Sequence, residues 1–159
     1  MLMNPTITDI IKRIKTEQKA LGITLFAPAS PAEIQNFENI MGVKLPEDLV
    51  KFYSFSNGFE SEEDLFRIIP LDEIIDNLKD EDTYTVWPND FHIAEYMIYC
   101  DMWTINTNAA NSEDYKIYNK AKNVITLTNS FPEFLDTFLN DGVFGGLYNW
   151  REKIEGLGK

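Results

Sequence analysis

One helix-start signal occurs twice in this chain, and the stretch between its two copies does not read as helix throughout. Ser30-Pro31-Ala32-Glu33 places a side-chain acceptor at the N-cap, a proline where its missing N–H is harmless, and a carboxylate three residues on, as a capping box needs. Ser130-Phe131-Pro132-Glu133 repeats the pattern near the other end, with Phe134, Leu135, Phe138 and Leu139 as an apolar stripe running to Gly142. From Thr8 to Ala20, Ile7, Ile10, Ile11 and Ile14 fall at helical spacing, opposite Lys12, Arg13 and Lys15. Ile34, Phe37 and Met41 line the segment after Ser30. Pro46 opens another with Leu49, Phe52 and Tyr53, which Asn57-Gly58 ends. Helices are expected at both ends, with a different element between them.

That element is strand. Leu65 to Leu71 is short, apolar and β-branched in its middle, with Pro70 at its end. After a short helical segment from Asp72 to Leu78 and a charged loop from Lys79 to Asp90, four strand candidates follow: Phe91 to Tyr99, Met102 to Thr107, Tyr115 to Tyr118 and Val124 to Leu127. Asn, Asp and Ser clusters separate them, which suits an antiparallel meander. Helices, then strands, then a closing helix is the order of an α+β fold, with N-terminal helices packed on a central antiparallel sheet. At 159 residues the chain is expected to form a single domain over 1–159.

Charge narrows the function. Lys plus Arg is 14 against 26 for Asp plus Glu, a net charge of −12. Such a body repels phosphate backbones, so direct nucleic-acid binding is not expected, and a basic partner would be steered toward it. One cysteine, Cys100, and one histidine, His92, exclude an internal disulfide and a Cys/His metal site. They could act as nucleophile and base only if brought together with an orienting group, and the expectation is a core thiol and a strand histidine. No phosphate loop, EF-hand or zinc-protease motif is present. No catalytic residue, metal or cofactor is therefore expected. The N-terminus lacks the basic and apolar runs of a signal peptide, and no run suits a bilayer, so a cytoplasmic location with no membrane contact is expected.

Met41-Gly42-Val43-Lys44-Leu45-Pro46-Glu47-Asp48-Leu49, with Ile34-Gln35-Asn36-Phe37-Glu38 before it and Phe52-Tyr53 and Asn57-Gly58 after it, resembles the signature of the SUKH (Smi/Knr-type) superfamily. Ile69-Pro70-Leu71 and Ser130 to Leu135 fall where that family has later motifs, so the resemblance covers roughly 30–140. Most of these residues read physically as structure: Gly42 as a left-handed helix stop, Leu45 as a core plug, Asn57-Gly58 as a turn. Members often carry a Gly/Asp-rich turn between the central strands, whereas Ala94 to Thr104 here has no glycine.

The resemblance implies a non-enzymatic interaction module. The family includes a yeast cell-wall assembly regulator, and its bacterial members are commonly immunity proteins that neutralise toxin domains of polymorphic or contact-dependent systems, many of them nucleases. It therefore implies a protein partner, in the first place a basic toxin domain, with a regulatory scaffold as the alternative. The acidic block Glu60, Glu62, Glu63, Asp64, Asp72, Glu73, Asp76, Asp80, Glu81 and Asp82, opposed only by Arg67 and Lys79, is the candidate surface. Read without a partner, it is a solvated face. Trp87, before Pro88 in a polar stretch, is the candidate exposed aromatic; Trp103 reads as core, and Trp150 is open between a packed tail and a docking patch. The oligomeric state is left open.

Overall fold

The structure, a computed structural model, describes residues 4–62, 65–80 and 85–157. These form six α-helices and a seven-stranded sheet: α1 (Ile7–Glu17), β1 (Ile23–Leu25), α2 (Pro31–Met41), α3 (Glu47–Phe55), β2 (Phe59–Ser61), β3 (Phe66–Ile68), α4 (Leu71–Leu78), β4 (Asp90–Tyr96), β5 (Asp101–Asn106), β6 (Lys116–Lys120), β7 (Val124–Thr128), α5 (Phe131–Asp141), a π-helical turn over Val143–Tyr148, and α6 (Asn149–Leu157). The expected α+β order holds. Every strand pairs antiparallel with its neighbours in sequence, from β1 through β7. The closing helix is not the last element, because the π-helical turn and α6 follow it. The short strands β1 and β2 were not expected either.

Helix ends follow the side chains that cap them. At α2 the Glu33 backbone N–H donates to the Ser30 hydroxyl, and the Ser30 N–H donates to the Glu33 carboxylate, so both halves of the box are made. Gly42 ends it at φ +75, a left-handed residue whose N–H donates to the Glu38 carbonyl. At α5 only half of the expected box forms. Ser130 receives the Glu133 N–H, but the Glu133 carboxylate instead accepts the Thr128 hydroxyl, which in turn accepts the Ser130 N–H. The last residue of β7 thus takes the place of the missing reciprocal bond.

One face of the sheet carries the core. Phe66 of β3 stacks on Phe138 of α5 at 4.0 Å between ring centroids and meets Trp103 of β5 at 5.5 Å. Phe52 of α3 meets Phe131 of α5 edge-on at 5.4 Å. Each such buried aromatic contributes roughly 1.5–3 kcal/mol by burial, with a smaller gain from ring geometry. A bulge in β4 between His92 and Ala94 inserts Ile93, so that Phe91 and Ala94, three apart, pair across to Ile105 and Trp103 on the core side. The other face is polar: β4, β5 and β6 bring His92, Thr104 and Tyr118 into one row, and β3 and β4 set Arg67 opposite Glu95.

The Asn57-Gly58 turn joins the helical layer to the sheet. Gly58 adopts φ +94, and a Cβ there would lie 2.3 Å from the Ile68 carbonyl oxygen. Nothing but glycine fits. The Asn57 side chain accepts the Leu71 N–H, tying the start of α4 to this turn.

Candidate interaction surface

The acidic block divides around one arginine. Glu60 lies mid-strand in β2, exposed and opposite Arg67 of β3, and Glu62 follows it, also exposed. Among the described residues the Arg67 guanidinium makes an ion pair with neither. Its Nε donates to Glu95 at 2.8 Å, and its terminal nitrogens donate to both oxygens of Glu73 at 3.1 and 2.5 Å. The Arg67 bonds hold the Glu73 carboxyl below its ordinary range. Glu95, only 2% exposed, is the buried member of the group. With Arg67 committed to these two carboxylates, Lys79 at the end of α4 is the other cation of the block. On α4, Asp72 and Asp76 lie four apart on one exposed helical face, and Asp80, also exposed, follows the end of the helix. Glu63, Asp64, Glu81 and Asp82 lie outside the described residues.

Trp87 stands apart from that surface. It is 39% exposed, its ring is edge-on to Tyr118 at 5.3 Å, and the Lys116 ammonium lies 4.8 Å from the ring centroid. Its backbone N–H donates to Asp90, which also accepts the Tyr118 hydroxyl and the Asn106 amide. These contacts belong to the end of the sheet where β4 begins. Glu62 lies at the other end, where β2 stops and Tyr96 closes β4. The structure therefore does not join Trp87 to the acidic residues. Trp103 is fully buried, as expected, and Trp150 is half-buried.

Cys100 is exposed, which corrects the expectation of a core thiol. The cause is local: it ends the turn between β4 and β5 and does not lie within a strand. His92 is a buried strand residue, as expected. Both line a cavity of about 230 Å³ with Met102, Thr104 and Lys120 among its walls. They do not form a nucleophile–base pair. The His92 Nδ1 is engaged with the Thr104 hydroxyl at 2.6 Å, its Nε2 is buried without a hydrogen-bond partner, and burial lowers its pKa to about 4. Such an imidazole is a poor base for a thiol. Among the described residues no group of His, Cys, Asp and Glu is placed to hold a metal ion, and no helix is long and apolar enough to cross a membrane.

Sequence reasoning missed one feature at the Tyr96 end. Where glycine was noted as lacking, Met97, Ile98 and Tyr99 take φ of 53, 52 and 61, three successive side-chain-bearing residues in the left-handed region. The turn is held from both sides. The Met97 N–H donates to the Leu65 carbonyl, and the Cys100 N–H to that of Tyr96 at 3.0 Å. The Tyr99 N–H donates to Glu95, and the Tyr99 hydroxyl to Glu73. The carboxylates that occupy Arg67 thus also fix the turn. Its apolar side chains face water, Ile98 being 88% exposed, with Met97, Leu65 and Phe144 also exposed. The sequence held a signal for this, namely a hairpin tip with Met-Ile and no Gly or Asn.

Comparison with known proteins adds two findings. The SMI1 / KNR4 family (SUKH-1) model matches residues 28–137, which run from just before α2 into α5. No curated protein matches the chain.

Proposed function

We propose, from the premise that this chain belongs to the SMI1 / KNR4 family (SUKH-1), that it is an immunity-type protein that binds a basic toxin domain in the cytoplasm and blocks its active site. In this reading residues 1–159 act as one SUKH-type domain, and binding is the whole activity. The observation that carries the reading is the exposed acidic surface on either side of Arg67. Glu60 and Glu62 on one side of Arg67, and Asp72 and Asp76 of α4 on the other, are exposed and make no ion pair with Arg67, which is bound to Glu73 and Glu95. A nuclease-type toxin is basic where it meets phosphate, so an acidic surface competes for that site and speeds the encounter. Glu63, Asp64, Glu81 and Asp82 would extend the surface. Trp87, at the other end of the sheet, supplies the contrast.

The test is co-expression with the product of any neighbouring gene that proves toxic when expressed alone, scored by cell survival and by the association rate of the purified pair. Protection is expected. Glu60→Lys with Glu62→Lys should slow association about tenfold or more at low salt and flatten its salt dependence. Unchanged association in that variant, with loss in Trp87→Ala, would move the interface to the Asp90 end. Capture only of housekeeping proteins, with no toxic neighbour, would favour a regulatory scaffold.

A further inference from the structure

We propose that the exposed apolar tip formed by Leu65, Met97, Ile98 and Phe144 is the anchor by which this protein docks a partner that offers an apolar pocket bordered by Lys or Arg. The inference rests on the reading above only in needing a protein partner.

Three observations meet at this tip. The first is backbone geometry: a left-handed conformation is unfavourable for an L-residue, most for a β-branched one, and three successive residues adopt it here, Ile98 among them. Strain of this kind persists where the surroundings over-determine it, and here the buried Glu95 and the Arg67–Glu73 pair do so. The second is exposure. The strained residues present Met97 and Ile98 to water, and Phe144 joins them through the Tyr96 ring, edge-on at 5.5 Å. Folding gains nothing from an isoleucine at that position, whereas a rigid apolar projection loses little entropy on entering a pocket. The third is charge. Glu62 lies three residues before Leu65, and Asn77 of α4, next in sequence to the exposed Asp76, donates to the Tyr99 hydroxyl. A second copy of a chain with net charge −12 would be repelled from such a rim, and a basic surface attracted.

The probe is a synthetic amphipathic peptide of Leu and Lys, with a Leu and Glu peptide as control, titrated into the full chain and followed by methyl NMR. Shifts should concentrate on Leu65, Met97 and Ile98. Ile98→Asn, which keeps the left-handed turn accessible, should weaken the Leu/Lys peptide about tenfold, while Trp87→Ala leaves it unchanged. Raising salt from about 50 to 500 mM should weaken it severalfold. Absence of binding, shifts centred on Val86 beside Trp87 or on β7, equal binding of the Leu/Glu peptide, or self-association through the tip would each overturn the proposal. This assay contains no toxin, so its failure and failed protection in cells are separate results. A tip that binds the peptide in a chain that protects no cell would leave the anchor standing and remove the immunity reading.

Discussion

The backbone turns left-handed at Gly58 and again across Met97 to Tyr99, and the two places answer to different demands. At Gly58 the demand is space: the Ile68 carbonyl oxygen occupies the position of a Cβ, so glycine is the only residue that fits. At the Met97 turn the side chains have room and stand in water. There a Gly or Asn would relieve the backbone, yet three residues of ordinary handedness are held by a buried carboxylate. The first turn is shaped by packing. The second keeps a conformational penalty together with apolar side chains that the core does not use, which is the pattern of a surface retained for contact.

The comparison can be broken or sharpened by substitution. Gly58→Ala should lower unfolding free energy by about 3–5 kcal/mol, through a clash with backbone at a positive φ, as read from urea denaturation. An acid series comes next. The unfolded His92 imidazole takes up a proton near pH 6.5 and the folded one only near pH 4. Stability is therefore full above pH 6.5 and should fall by about 3 kcal/mol across that window. Glu73, whose folded pKa is depressed by Arg67, holds its contribution above its unfolded value of about 4.5 and loses it as pH falls through the folded value. Losses in the lower range should therefore include weakening of the Arg67–Glu73 pair that holds the Met97 turn, alongside that of the Asp9 cap of α1. Glu95→Gln should cost about 2 kcal/mol by weakening bonds to Arg67 and the Tyr99 N–H, and should broaden the amide signals of Met97 to Cys100. Ile98→Gly should stabilise by about 1 kcal/mol, a gain in melting temperature; a loss would mean that the turn is unstrained and the contrast with Gly58 false. Glu60→Lys with Glu62→Lys should change stability by no more than about 0.5 kcal/mol.

How much of this the sequence disclosed depends on whether the determining atoms are near one another in the chain. The Ser30 cap, the Gly42 stop and the long strands were readable because propensity, capping and period are local signals. Strands β1 and β2 escaped because three residues show no period, and their existence depends on mutual pairing between Ile23 and Ser61. Helix α6 and the π-helical turn escaped because Gly145-Gly146 reads as a loop, although Gly146 is packed against the Thr137 carbonyl of α5. The charges of the acidic block could be counted, but the inward commitment of Arg67 could not, since Glu73 and Glu95 reach it from different elements. Cys100 was misplaced because a cysteine beside strand residues is usually buried, and only the turn geometry shows otherwise.

The sheet order, with each strand beside its neighbour in sequence, also bears on how the chain reaches this structure. The β2–β3 ladder and those from β4 to β7 join neighbours across short connections, each with little loss of chain entropy, while β1–β2 closes around α2 and α3 and β3–β4 around α4. The distant pieces are α1 and α5, where Arg13 donates to Asn140 at 2.8 Å and pairs with Asp136. Sheet formation should therefore run ahead, and docking of the N-terminal helix should come late, so that damage to Ile10 or Ile14 quickens unfolding more than it slows folding.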